Sequence, residues 1–295
     1  MRLHANPYFL LVLATLFWAG NFVLGRAVHE LIPPVALVFW RWAGALLILL
    51  PFALKHVRTD WPLLRKHWLQ LFIYAVLGVS CFNTFIYLAM HTTTATNALL
   101  LNSTIPVVIV LLSVLFGRTM IPARQWLGMA VSLAGVITII CKGNAGLLRS
   151  LSFNPGDLWV MLAVVSWALY TWLLRNRPAG MHPFSFLSAI IFLGLIPLAP
   201  LYAIELARGL KMIYGPATAA SLAYVALFPS ILSFVFWNQA VAETSPSRAG
   251  LFLHLMPVFG TLLSIAFLGE TLHTYHLPGI LMIFSGIWLT TVTPR

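Results

Sequence analysis

Ten apolar runs, each near the length that crosses a bilayer, divide this chain almost from end to end. They are Pro7–Val28, Pro33–Lys55, Trp68–Met90, Ala95–Phe116, Arg124–Cys141, Asp157–Asn176, Pro183–Ala207, Ala217–Ala240, Pro246–Leu268 and Tyr275–Val292. A spanning helix needs about 20 mostly apolar residues. Hydrocarbon leaves no backbone group unpaired, so runs of this kind are helices. The chain is 61% hydrophobic and 8% charged, whereas a soluble domain carries about 25% charged residues. Such an excess of apolar surface must face lipid. The sequence therefore predicts an all-α membrane protein of ten transmembrane helices. The spacers are too short for a soluble domain, and the first run is long enough to be a retained helix rather than a cleaved signal.

The net charge of +11 would suggest nucleic acid in a soluble protein. Here the basic residues sit in the spacers, which fits contact with anionic lipid head groups and not with nucleic acid. With the N-terminus inside, the cytoplasmic spacers hold eleven Lys and Arg residues and the outer ones five. The asymmetry places both termini in the cytoplasm, as in a bacterial inner membrane. Cys81 and Cys141 fall within or beside apolar runs and read as packing residues.

The second half aligns with the first at an offset of 151: Phe85, Ala98 and Pro106 fall on Phe236, Ala249 and Pro257, and Gly128 and Gly135 on Gly279 and Gly286. At 149, Trp18 and Arg26 fall on Trp167 and Arg175. This divides the chain into a first five-helix repeat, residues 1–146, and a second, 147–295. Five is odd, so the halves enter the membrane from opposite sides, giving a 5+5 inverted repeat. Such repeats build many secondary transporters, with substrate bound between the halves near the midplane.

Several motifs carry a family likeness. They are Leu16-Phe17-Trp18-Ala19-Gly20-Asn21 in the first run and Phe39-Trp40-Arg41-Trp42-Ala43-Gly44-Ala45 in the second. In the second half they are Thr244-Ser245-Pro246-Ser247-Arg248-Ala249, Leu255-Met256-Pro257-Val258-Phe259 and Leu268-Gly269-Glu270. In order and spacing they resemble the drug/metabolite transporter superfamily and its ten-helix EamA-type exporters, within which the chain is most similar to the group of amino-acid and metabolite exporters that export aromatic amino acids. The likeness implies export of small metabolites by alternating access. One departure stands out: where the family often has an acidic residue after the glycine ending the fourth helix, Gly117 is followed by Arg118.

The substrate-binding candidates are polar and aromatic residues at mid-depth. Trp18 with Asn21, and Trp167 with Tyr170, place an aromatic and a polar group three residues apart on one helical face. Asn83 and Tyr87, Trp237 and Asn238 beside Gln239, and Asn102, Ser103 and His254 are further candidates. Buried amides must face protein or water. His254 is read as a hydrogen-bonded core residue or a proton relay. Pro106 and Pro257, mid-run and matched across the repeat, read as hinges. Arg41, deep in the second run, reads as a structural intramembrane charge held by carbonyls or snorkelling to the interface. Trp61, Trp68 and Trp126 read as interfacial belt residues. The glycine pairs, seven apart, mark either contact between the fifth and tenth helices or a dimer face, so the chain is a monomer or a homodimer.

The six acidic residues, Glu30, Asp60, Asp157, Glu205, Glu243 and Glu270, lie in spacers or near helix ends. Ion-coupled carriers usually keep an intramembrane carboxylate. The pattern predicts uncoupled or weakly coupled transport of a neutral or zwitterionic substrate with an apolar side chain, aromatic or hydrophobic amino acids above all. A proton-coupled exporter of drugs or other metabolites is the alternative. No cofactor, metal site or catalytic residue is expected. An intramembrane enzyme has only His254 and Ser103 as a base–nucleophile pair, with no orienting acid. A channel is disfavoured by the central aromatics, and a non-transporting scaffold would show no flux.

Overall fold

The structure is a computed structural model, and it describes residues 5–28, 30–89, 92–149 and 151–291. Among the described residues the helical segments, apart from the short helix Ala145–Arg149, can be grouped into ten rods, with no strand. The first three are α1 (Pro7–Ala27), α2 (Pro34–Lys66), and α3 (Trp68–Ala75, the π-helical Val76–Cys81 and Phe82–Ala89). Next come α4 (Ala95–Asn102 and Ile105–Leu115), α5 (Ala123–Ile140), α6 (Pro155–Leu173 with a 3-10 turn Leu174–Asn176) and α7 (Pro183–Ala207). The last are α8 (Pro216–Val225, the π-helical Ala226–Leu232 and Ser233–Glu243), α9 (Pro246–Leu251, a 3-10 turn Phe252–His254 and Leu255–Leu268) and α10 (His276–Thr291). Among the described residues nine rods are long and apolar enough to cross a membrane, and α10, at 16 residues, is shorter.

Six rods begin at proline, whose missing N–H is one of the orphans of a first turn. Asn6 caps α1 by accepting from the Tyr8 N–H, and Asn154 with Asp157 forms a capping box on α6. Pro106 and Pro257 follow the same rule, which corrects their reading as mid-helix kinks. Pro106 is in the first turn of Ile105–Leu115, after a break at Ser103 and Thr104, and Pro257 is in the first turn of Leu255–Leu268. The helix yields one turn upstream of the ring, where 3-10 or turn geometry needs no donor from proline. A second correction concerns α2. It runs 33 residues, well past the end of its apolar run at Lys55, because Lys55–Lys66 stays helical while becoming polar.

Short connectors make successive rods alternate in direction. One end of the bundle, where odd rods begin and even rods finish, gathers Lys55–Lys66, Arg175, Arg177 and Arg248; we call it the basic end. The packing is paired. α1 lies on α8 and α9, and α6 lies on α3 and α4, while α2 packs on α7 and α5 on α10. The last pair explains the glycines. A Cβ on Gly135 would fall 2.6 Å from the Gly279 carbonyl, and one on Gly128 2.6 Å from that of Gly286. Only hydrogen allows the two backbones this approach, so these glycines face one another within the chain. Trp61, Trp68 and Trp126 are exposed.

Carboxylates fasten the rods at their starts. Glu205, near the end of α7, accepts the Val35 and Ala36 N–H groups at the head of α2 at 2.9 and 2.6 Å. Asp60, near the end of α2, accepts the His182 N–H at the head of α7 at 2.8 Å. The antiparallel α2–α7 pair is thus capped reciprocally at both ends. Asp157 accepts from Thr93 and Asn97, tying α6 to α4.

Candidate functional site

The two π-helical segments organise the interior. An i→i+5 turn leaves carbonyls without their usual helical partner and offers them sideways. On α8 the Pro229 carbonyl accepts from the Trp18 indole at 2.9 Å and from the Arg41 guanidinium at 3.2 Å. Ser230 accepts from Arg41 Nε at 2.6 Å, and Ser233 donates to the Ala14 carbonyl. On α3 the Leu77 carbonyl accepts from Ser166, and Ser80 donates to the Gly194 carbonyl. So α8 engages α1 and α2 as α3 engages α6 and α7.

Arg41 is therefore tied inside the bundle, 4% exposed, with a further bond to Asn83 Oδ1 at 3.4 Å and its guanidinium 5.0 Å from the Trp42 ring. The π-helical carbonyl and Ser230 hold the guanidinium among the helices.

At mid-depth Trp18 meets Trp167 edge-on, ring centroids 5.1 Å apart, and Trp237 lies 5.2 Å from Trp18. Phe234 and Tyr170 complete the layer, each within 6 Å of Trp167. Two hydrogen bonds within it join α6 to α8: the Tyr170 hydroxyl donates to Asn238 Oδ1 at 2.8 Å, and the Trp237 indole donates to Thr171 at 3.3 Å. The Trp18 indole, on the Pro229 carbonyl, ties α1 to α8.

This aromatic layer separates two cavities. The one away from the basic end is about 40 Å³ and is lined by Trp18, Asn21, Arg41, Asn83, Asn102 and Trp167, with apolar walls from α3, α8 and α9. It has room for a water or a small polar group. Here the Trp167 indole N–H and Asn102 Oδ1 are buried without a hydrogen-bond partner. Buried polar atoms are rarely left so, and this donor and acceptor are what the protein offers a bound polar group. The other cavity, about 270 Å³, opens toward the basic end between α7 and α8, with Arg177 and Glu243 at its mouth and Asn238 at its floor.

Of the candidates, Trp18, Asn21, Asn83, Asn102 and Trp167 line the small cavity and Asn238 the large one. Tyr170 and Trp237 are packed in the layer between them. The side chain of Tyr87 lies outside the described residues. Ser103 and His254 are brought together away from the cavities. His254 Nε2 carries the proton to the Ser103 carbonyl, 3.0 Å away, because a carbonyl only accepts; Nδ1 then accepts from Ser132 at 2.8 Å. The neutral ring is fully satisfied and bridges α9, α4 and α5. The Ser103 hydroxyl donates to Leu100 O and does not face the imidazole, so His254 and Ser103 do not form a base–nucleophile pair. Sequence reasoning grouped Gln239 with Asn238 but missed Arg177 and Glu243 as cavity residues. The signal was present: Val235, Asn238, Gln239 and Ala242 follow i, i+3, i+4, i+7 spacing on α8. Among the described residues no group of three or more His, Cys, Asp or Glu side chains is placed to hold a metal.

An all-helical bundle of this hydropathy with cavities on either side of a central barrier defines a multi-pass membrane protein of the transporter class. The EamA-like transporter family model matches the chain twice, over residues 6–141 and 154–292, and the chain belongs to that family. It is 28% identical to an uncharacterized transporter of Archaeoglobus fulgidus, over 98% of both chains. It is 24% identical to the uncharacterized transporter YyaM of Bacillus subtilis, covering 96% of this chain and 93% of that one. With the uncharacterized inner membrane transporter YedA of Escherichia coli K12 it shares 26% identity over 94% and 88% of the two chains. A solved crystal structure superimposes with a TM-score of 0.79 at 17% identity, covering 97% of this chain and 96% of that one, and shares the fold.

Proposed function

We propose that the protein is a secondary exporter of small neutral or zwitterionic metabolites, aromatic and hydrophobic amino acids foremost. It works by alternating access between two inverted five-helix repeats. The observation that carries the reading is the aromatic layer joining α6 to α8, with a polar-lined cavity on each side of it. A carrier needs a barrier that can be exposed to either side in turn. A layer fastened by two hydrogen bonds between α6 and α8 of the second half, and tied to the first half by the Trp18 indole on the Pro229 carbonyl, is a barrier of that kind. The swapped packing of α1 on α8 and α9, and of α6 on α3 and α4, supports the inverted repeat, as do the paired π-helical segments.

In this reading all ten rods cross a bacterial inner membrane, both termini are cytoplasmic, and the basic end faces the cytoplasm. The conformation described is then open inward, with the outer cavity nearly closed. The breaks before Pro106 and Pro257 act as hinges. Coupling to protons is not required, since His254 is held by two neighbours and Asp60, Asp157 and Glu205 are committed to helix starts.

Counterflow tests it. Proteoliposomes loaded with unlabelled phenylalanine and offered labelled amino acids, without any ion gradient, are expected to accumulate label saturably. Absence of accumulation for every aromatic and aliphatic amino acid removes the amino-acid reading, and accumulation only under an imposed proton gradient favours the coupled alternative.

A further inference from the structure

The larger cavity has the two charges of a zwitterion built into its wall. Glu243 ends α8 and Arg177 stands in the connector before α7, and both line the same space of about 270 Å³. Between them stand two amides, Asn238 and Gln239. Leu187 from α7 and Val235 from α8 supply an apolar wall. The four α8 residues lie on one face, so their groups converge.

Glu243, Arg177 and Asn238 each carry more hydrogen-bonding positions than one partner fills. Glu243 accepts from Gln239 through Oε1 at 2.9 Å, and a carboxylate has about four lone-pair sites. Arg177 lies 5.4 Å from the Phe186 ring, and a guanidinium offers five donors. Asn238 gives its oxygen to Tyr170, so the amide nitrogen is what it presents to the cavity.

We infer that this cavity is a loading site for an α-amino acid, distinct from the central one. Arg177 takes the carboxylate, Glu243 takes the ammonium, and the side chain lies on Leu187 and Val235. The inference rests on the carrier reading and deepens it. Two charges of opposite sign in one small cavity select a zwitterion over an amine, an acid or a neutral solute, because a ligand with one charge leaves the other group uncompensated. The floor of the site is Asn238, the residue that fastens Tyr170 in the aromatic layer. A bound carboxylate that accepts from the Asn238 amide nitrogen thus reaches the barrier's own hydrogen bond through one side chain.

The test is saturation-transfer NMR, which reads weak binding, on the full-length purified protein in detergent with phenylalanine as probe. Glu243→Gln and Arg177→Gln should each weaken binding roughly ten- to hundredfold, the loss of one charge-assisted pair. Phenylalanine amide and N-acetylphenylalanine should compete worse by a similar factor. Arg177→Lys should recover part of the loss, since it restores charge without the fork. Glu243 is exposed, so its near-isosteric variant is expected to fold normally, and an unchanged melting temperature checks this. Binding that is indifferent to both variants, or equal competition by the blocked analogues, overturns the loading site. Counterflow on the same preparation is read separately. Counterflow that persists with those binding results leaves the carrier standing and removes only this site, and no binding of phenylalanine to the wild type also removes it.

Discussion

Gly135→Ala should destabilise the protein although it replaces glycine by the best helix former. In an exposed helix interior that exchange stabilises by about 0.5–1 kcal/mol. At Gly135 the added methyl would lie 2.6 Å from the Gly279 carbonyl oxygen and 2.9 Å from both Ile283 Cγ1 and Met282 Cβ. Ordinary carbon contacts begin near 3.5 Å, so α5 and α10 must separate by most of an ångström. The oxygen belongs to a helix backbone and cannot turn aside. Overpacking of this kind costs about 1–3 kcal/mol, which outweighs the propensity gain. The expected net loss is about 0.5–2 kcal/mol. Gly260→Ala in α9 is the control, since its added methyl meets nothing within 4 Å; it should leave stability unchanged or raise it. In thermal melts in the same detergent, Gly135→Ala should melt below the wild type and Gly260→Ala at or above it. A Gly135→Ala protein that melts at or above the wild type would refute the close backbone contact of α5 and α10.

Arg41→Lys should lower the melting temperature while preserving charge, because an ammonium cannot reach Ser230, Asn83 and Pro229 together as the fork does; losing one such bond costs about 1.5–3 kcal/mol, and an unchanged melt would contradict the anchoring role. The ring of His182 sits at the head of α7, where its Nδ1 accepts the Phe184 N–H and its face stacks on His56 at 3.6 Å. Burial first, and then His56, hold its pKa below the ordinary histidine value, with Asp60 opposing. The folded state therefore prefers the neutral ring, and the unfolded chain takes up the proton first as pH falls. The stability this contributes is complete above the ordinary histidine pKa and is lost as pH drops from there through the lower folded value. Melting temperature followed against pH should decline less steeply in that window for His182→Asn, and parallel curves for the two proteins would speak against it.

The helical rods were legible because hydrocarbon imposes a length and a composition that neighbours do not alter; α7 matches its apolar run residue for residue. The polar extension of α2 was not, since past Lys55 its helicity depends on packing against the start of α7 through Asp60 and His182. Pro106 and Pro257 were visible as positions but not as helix starts, because a break one turn upstream leaves no composition signal. The partners of Arg41 were out of reach for a different reason. They exist only because α8 bulges into π-helical geometry at Pro229, and nothing in single-residue propensity announces that. The cavity beside α8 was partly legible, its spacing plain and its opposite wall, Arg177 and Leu187, supplied by rods distant in sequence.

The anchoring of Arg41 also bears on the order in which the chain can be built. Its guanidinium enters with the second helix, whereas its acceptors, Pro229 and Ser230, follow 188 and 189 residues later. The head of α2 waits likewise for Glu205, 169 and 170 residues on. An unpaired arginine at helix centre costs about 2.5–3.5 kcal/mol on insertion scales. Through most of synthesis the first half therefore carries an arginine, beside Asn83, and a helix start that both await hydrogen-bond acceptors from the second half. The halves resemble one another, but the earlier one is completed by the later, and severing the chain at its midpoint would part Arg41 from Pro229 and Ser230 and the head of α2 from Glu205 rather than yield two self-sufficient folding units.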